Sequence, residues 1–154
     1  MNYQQTLAYQ VRWAARNIAY NLGFVPAGKL RWKPAPTAPS ALEIVNHIAD
    51  GMLAAREMFR DGRWREEGEV EFARATDLES ARALLERVAG EFAAALEEVR
   101  DEEMERVIET PFGTMPLRYV MSFEPIDIVH HHGQVAFIQM LLGDTESHFA
   151  PPES

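Results

Sequence analysis

Residues 32–50 read WKPAPTAPSALEIVNHIAD, and this stretch decides the fold. Pro34, Pro36 and Pro39 deny helix to the segment before Ser40 and favour an extended path, because each ring removes an N–H and restricts the residue before it. Ser40 and Glu43 then form S-x-x-E, a capping box in which each side chain satisfies an orphan N–H at a helix start. Behind that start Ile44, Ile48, Met52, Ala55, Met58 and Phe59 share one helical face, with the two methionines as core filler. This helix is expected to run to Arg60 and to stop at Asp61-Gly62. The stretch from Phe24 to Pro39 is longer than an ordinary connection and reads as a crossover along the length of a bundle.

Working outward, Leu7, Val11, Ala14, Ala15, Ile18 and Leu22 predict a first helix over Gln4 to Leu22, with Gly23 as its stop. A third helix is expected to open with the same kind of cap at Thr76-Asp77-Leu78-Glu79 and to continue through Glu103, burying Leu84, Leu85, Val88, Phe92, Leu96 and Val99. Pro111 and Gly113 mark a loop over 106–115 with a short β-like arm. A last helix is predicted from Pro116 to Leu142, kinked at Pro125 and stopped at Gly143. No internal repeat is visible, and the chain closes on the short polar segment APPES. The pattern is all-α: a four-helix bundle with one long crossover connection, formed as one domain over residues 1–154.

The 154 residues are 47% hydrophobic and 25% charged, enough apolar material to build a core and to exclude a wholly disordered chain. No apolar run approaches the length of a membrane span, and no basic region followed by an apolar one opens the chain, so a cytoplasmic location is expected. There is no cysteine, which excludes disulfides, thiolate nucleophiles and thiolate metal sites. A net charge of −9 argues against a nucleic-acid partner. No nucleophile triad order, phosphate-binding glycine loop or dinucleotide fingerprint is present.

Of five histidines three are consecutive, His130, His131 and His132, and they point in three directions about 100° apart. With His131 at the origin, Asp127 and Gln134 fall within about 60° of it, among Ile128, Val135, Ile138 and Leu142. Asp127, His131 and Gln134 therefore interrupt an apolar stripe, and a carboxylate and an imidazole placed there need a partner or a metal. His47 lies at the edge of the apolar face of its own helix, and a bundle can bring it opposite His131. Two readings stay open. Asp127 and His131, at i and i+4, can simply hydrogen-bond to each other. Alternatively His47, Asp127 and His131 hold a metal, with positions left for water or substrate. The His130–His132 run can also act as a fortuitous nickel binder. Trp13, Trp32 and Trp64 read as packing residues, Trp32 with a place at a pocket mouth.

Three motifs, in order, resemble the DinB-like superfamily of four-helix-bundle proteins, in the branch related to bacterial DNA-damage-inducible proteins and thiol-dependent S-transferases. They are the crossover and capped helix of Trp32–Asp50, P-F-G-T-M-P-L at Pro111–Leu117, and H-H-G-Q-V-A-F-I-Q-M-L-L-G-D at His131–Asp144. The resemblance implies a bundle metalloenzyme. Its divalent ion is held by a histidine matching His47 and by an H-x-x-x-H pair whose last member matches His131. The middle position here is Asp127, a harder ligand, with His130 as the fallback. The ion would be zinc, nickel, iron or manganese; Gln134 would orient a ligand, bond the crossover backbone or contact a bound group; and a low-molecular-weight thiol is a further candidate cofactor. The implied chemistry is thiol-dependent S-transfer or hydrolysis of a small-molecule substrate, in a homodimer. A non-catalytic small-molecule-binding or stress-related bundle with a degenerate metal site is the alternative, favoured by Asp127.

Overall fold

The computed structural model describes residues 1–151; the last three residues of the APPES segment lie outside the described residues. Four long helices dominate: α1 (Tyr3–Asn21), α2 (Ala41–Asp61), α3 (Leu78–Glu98) and α5 (Phe123–Leu141), the last preceded by a single turn, α4 (Leu117–Val120). α1 packs on α3 and α5, and α2 packs on the same two helices. Helices consecutive in sequence, α1 and α2, thus face each other across the diagonal of a four-helix bundle, and the crossover of residues 22–40 spans it. The backbone N–H of Leu42 donates to the Leu30 carbonyl and ties this crossover to the start of α2.

Each start has a local cause. Ser40 and Glu43 cap α2 reciprocally as the sequence predicts, and Gly62, at φ 77°, closes it in the left-handed region that glycine adopts without strain. α1 is capped by Asn2 and Gln5, a signal the sequence reading passed over. α3 is capped by Asp77 with Ser80, not by Thr76 with Glu79. Asp is the stronger cap, and moving the start by one residue lets both side chains close the box. α3 also ends at Glu98 rather than running through Glu103, because Val99 turns extended at ψ 120° and a 3-10 turn follows at Asp101–Glu103. Gly23 does not stop α1; it lies within a 3-10 turn, where the Arg82 guanidinium occupies the space of a β-carbon.

The kink expected at Pro125 is a break placed earlier. The chain turns at Met121-Ser122, and α5 begins afresh at Phe123. Pro125 is then the third residue of its helix, inside the first turn, where a missing N–H costs nothing. The β-like arm is a hairpin, β1 (Val107–Thr110) against β2 (Gly113–Pro116), turned by Gly113 at φ 109°.

The core runs the length of the bundle. Phe92, Ile18, Leu22, Ile44, Ile48, Met52, Leu85 and Ile128 are among its fully buried members, each contributing about 1.5–3 kcal/mol on leaving water. The segment of residues 62–77 between α2 and α3 is pinned to α2 by polar contacts. Gly68 N–H donates to Asp50 Oδ2 at 2.8 Å, Ala75 N–H donates to Asn46 Oδ1 at 2.8 Å, and Asn46 Nδ2 donates to the Ala75 carbonyl at 3.1 Å. These bonds hold the intervening Trp64–Glu67 stretch beside α2 and the start of α5. None of the helices is long and apolar enough to cross a membrane, among the described residues.

Candidate metal centre

His47 sits two turns into α2, at a height set by the Ser40 cap; Asp127 and His131 lie one turn apart on α5. Because α2 and α5 are packed neighbours, the three side chains meet. His131 Nε2 lies 3.2 Å from Asp127 Oδ2, and His47 Nε2 lies 3.9 Å from the same oxygen. The two imidazole centroids are 4.9 Å apart. One candidate ligand atom from each residue lies within 4.8 Å of the other two. Bonds of about 2.0–2.2 Å to a common ion would set donor atoms roughly 3–3.5 Å apart, so small side-chain movements suffice to close this set on one ion.

The far side of each ring is also tied. His47 Nδ1 is 3.1 Å from Glu67 Oε1, and His131 Nδ1 is 2.6 Å from Gln134 Oε1. Each of these oxygens accepts only if Nδ1 carries a proton, which leaves Nε2 to face the centre. Two imidazole nitrogens and a carboxylate oxygen then confront one another, an arrangement that a shared cation would satisfy. In the protein alone a proton on His131 serves. Burial works against the charged form of His131, but the hydrogen bonds to Asp127 and Gln134, with the Asp127 and Glu124 carboxylates, outweigh it and raise its pKa. Burial likewise works against the Asp127 carboxylate, but its bond to His131 and the nearby His47 and His130 rings lower its pKa. A divalent ion would replace the proton with stronger compensation. The donor set of two imidazoles and a carboxylate, with its outer partners in place, fits such an ion.

The wheel put Asp127 and His131 within the apolar stripe. Ile128, Val135 and Ile138 are buried as that stripe requires, but the Asp127 side chain is 40% exposed and that of His131 12%. The centre is therefore at the bundle's rim, open to a cleft. That cleft has a volume of about 590 Å³ and is lined by His47, His131, Gln134, Lys33, Asn46 and Arg74. Gln134 stands on the cleft wall and also donates toward His130 Nε2 at 3.1 Å, so the fallback ligand is engaged elsewhere and stays exposed. His132 points the other way, bonded to Asn21 Oδ1 at 2.7 Å and set edge-on to Trp13, which undoes the three-histidine tract as a joint nickel binder. Trp32 packs against the core, and it is Trp64 that lines a cavity.

Two residues of the centre escaped the sequence reading. Glu67 comes from a segment without periodicity, inside an acidic pair, and nothing local marks it. Glu124 sits one turn before Asp127, half-buried, with a pKa pushed up to about 8 by burial and by the Asp127 carboxylate. Its position one helical turn before the ligand pair was the signal available. Because Gln134 holds the His131 ring, Gln134→Ala is expected to weaken divalent-ion affinity about 10- to 100-fold while leaving one ion per chain at saturation. A chelator-competition titration against zinc measures this, and an unchanged affinity would show that the contact does not orient the ring.

A profile described as the DinB superfamily matches residues 9–135. The crystal structure of a DinB-like protein, YjoA of Bacillus subtilis, determined at 2.30 Å, superposes with a TM-score of 0.77 at 20% identity, covering 94% of this chain and 96% of that one. YfiT of Bacillus subtilis superposes with a TM-score of 0.75 at 15% identity, covering 91% of this chain and 87% of its own. YfiT is described as a probable metal-dependent hydrolase with an unusual four-helix bundle topology. Among proteins of curated function, none matches the chain.

Proposed function

The chain belongs to the DinB superfamily, and on that premise we propose that it is a metal-dependent enzyme acting on a small molecule, with His47, Asp127 and His131 holding one divalent ion. The observation that carries this reading is the convergence of the two Nε2 atoms and the Asp127 carboxylate, with Glu67 and Gln134 behind the rings. Asp127 takes the place of the middle histidine of the family pattern without opening the set. When bound, the ion supplies a Lewis acid that lowers the pKa of a bound water or thiol toward neutrality. The chain's own residues do the rest. Glu67 and Gln134 keep the imidazoles in the tautomer that faces the centre, Asp127 offsets the charge, and the cleft admits substrate from the side of Lys33 and Arg74. Because the chain has no cysteine, a thiol taking part would enter as a small molecule. Hydrolysis and thiol-dependent transfer share this machinery. The description of YfiT makes hydrolysis the first activity to assay, and the acidic net charge keeps nucleic acid out of the reading.

The test is a paired assay on untagged protein reconstituted with zinc, nickel, iron or manganese. Ester and amide hydrolysis is run on one side, and transfer of a small thiol to an electrophile on the other. Turnover of one class that vanishes on chelation and returns with metal is the expected result. Full metal occupancy with no metal-dependent turnover in either panel would replace this reading with that of a non-catalytic binder.

A further inference from the structure

Beside the cleft, on the other flank of His47, lies a second and narrower cavity of about 200 Å³. Its floor and sides are apolar: Ala54, Ala55 and Met58 of α2, Val120 of α4 and Phe123 of α5. Trp64 forms a wall, braced edge-to-face by Phe123 and by Phe112 from the hairpin tip, with centroids 6.2–6.4 Å apart. At one end lies the Glu124 carboxyl. It is half-buried, lines the cavity, and makes no hydrogen bond among the described residues. It has room there because residue 51 is glycine: a β-carbon on Gly51 would stand 2.6 Å from Glu124 Oε2. The remaining charges at the slot are Glu66, Glu67 and Arg65, and Arg65 is already engaged by Asp61 and the Arg63 carbonyl. His47 and Glu67 line both cavities, so whatever occupies the slot abuts the centre.

An apolar slot closed by aromatic rings and ending in an unpartnered carboxyl asks for a ligand of complementary design. A carboxyl without a partner at the end of an apolar slot gains a hydrogen bond from any donor that reaches it. The surrounding acidic groups favour a basic donor and reject an anion, and aromatic faces accommodate a cationic nitrogen. We propose that this slot receives the apolar, amine-bearing end of the substrate, its nitrogen donating to Glu124, with the rest of the molecule emerging past His47. This assignment names the substrate class for the reaction proposed above and rests on that reading of the centre.

Benzylamine is the probe, titrated into metal-free and zinc-loaded protein and followed by two-dimensional amide NMR, beside benzyl alcohol and benzoate. The expected result is saturable benzylamine binding mapped to Ala54, Ala55 and Glu124. Benzyl alcohol should bind about tenfold more weakly, and benzoate should not bind. Glu124→Gln should lower benzylamine affinity about tenfold and leave benzyl alcohol within about twofold. Ala54→Leu, which fills the slot, should remove both. Equal binding of benzoate, an unchanged benzylamine affinity in Glu124→Gln, or no saturable benzylamine binding to the folded protein each overturns the proposal. The metal-free arm, repeated on His131→Ala, separates the two readings. Amine binding without metal binding would leave the slot assigned and the metal centre refuted, and metal binding without amine binding would do the reverse.

Discussion

His131→Ala is expected to empty the protein of divalent metal: about one ion per chain in the wild type and essentially none in the variant. His131 is the member of the set whose loss cannot be made good. Its side chain is the most buried of the three, its Nε2 lies 3.2 Å from Asp127, and its Nδ1 is held at 2.6 Å by Gln134. Alanine leaves one imidazole and one carboxylate 3.9 Å apart on different helices, a pair without a third donor. Losing an outer partner costs roughly 10- to 100-fold in affinity, so losing the ligand itself should exceed 100-fold. Because the ion displaces the proton that His131 carries with a raised pKa, binding should release protons and weaken as pH falls below neutrality. His130→Ala is the informative control. That ring is engaged by Gln134 and exposed, so the variant should keep its ion. Elemental mass spectrometry on untagged protein reads both variants. A wild type that takes up no zinc, nickel, iron or manganese, or a His131→Ala protein that keeps its ion, would leave Asp127 and His131 as a polar contact at the rim of the bundle.

The parts legible in the sequence are those governed by local rules. The Ser40–Glu43 box fixed where α2 begins, and with it the height of His47; the i, i+4 spacing fixed the Asp127–His131 pair. The prolines of residues 34–39 announced a crossover, and only the packing of α1 and α2 on α3 and α5 shows that it spans the diagonal. What local rules do not carry is tertiary. Pro125 reads as a kink inside one long helix, and it is the Met121-Ser122 turn, re-aiming α5 after the hairpin, that makes it a first-turn residue instead. The wheel knows the angle of Asp127 but not the gap between α2 and α5 that leaves it at the edge of a cleft. Glu67 belongs to a segment positioned by Asp50 and Asn46, two buried polar side chains of α2 that bond to Gly68 and Ala75, and no periodicity points from one to the other. Glu124 was hidden for the same reason: its setting depends on Gly51, a glycine that looks incidental in a helix until the facing carboxyl is seen.

Glu124 should also make the metal-free protein lose stability as pH rises, an effect opposite to that of most carboxylates. Its ordinary pKa is 4.5, and in the fold it is pushed up to about 8 by burial first, then by Asp127 and Asp50, against the opposing pull of His131. Above pH 4.5 the unfolded chain gives up this proton while the folded chain keeps it to about pH 8. The native state therefore binds more protons across that window, and stability falls through it by about 1.4 kcal/mol per pH unit at the steepest. The whole shift sets an upper limit of about 5 kcal/mol by pH 8. Other groups titrate in the same range: Asp127, with its pKa lowered, stabilises as pH rises, and His131, with its pKa raised, stabilises as pH falls. The difference between wild type and Glu124→Gln isolates the one carboxyl. The amide keeps the shape and cannot ionise, so the two proteins should be closest near pH 4.5, and the variant should gain progressively until it is the more stable by several kcal/mol near pH 8. Urea unfolding of both proteins at a series of pH values measures this. A stability difference that stays flat with pH would mean that Glu124 titrates as an ordinary surface carboxylate. Adding a saturating divalent ion should shrink the difference, since a cation at His47, Asp127 and His131 favours the ionised form of the carboxyl one helical turn away. The same titration thus reports on the slot and on the metal centre together.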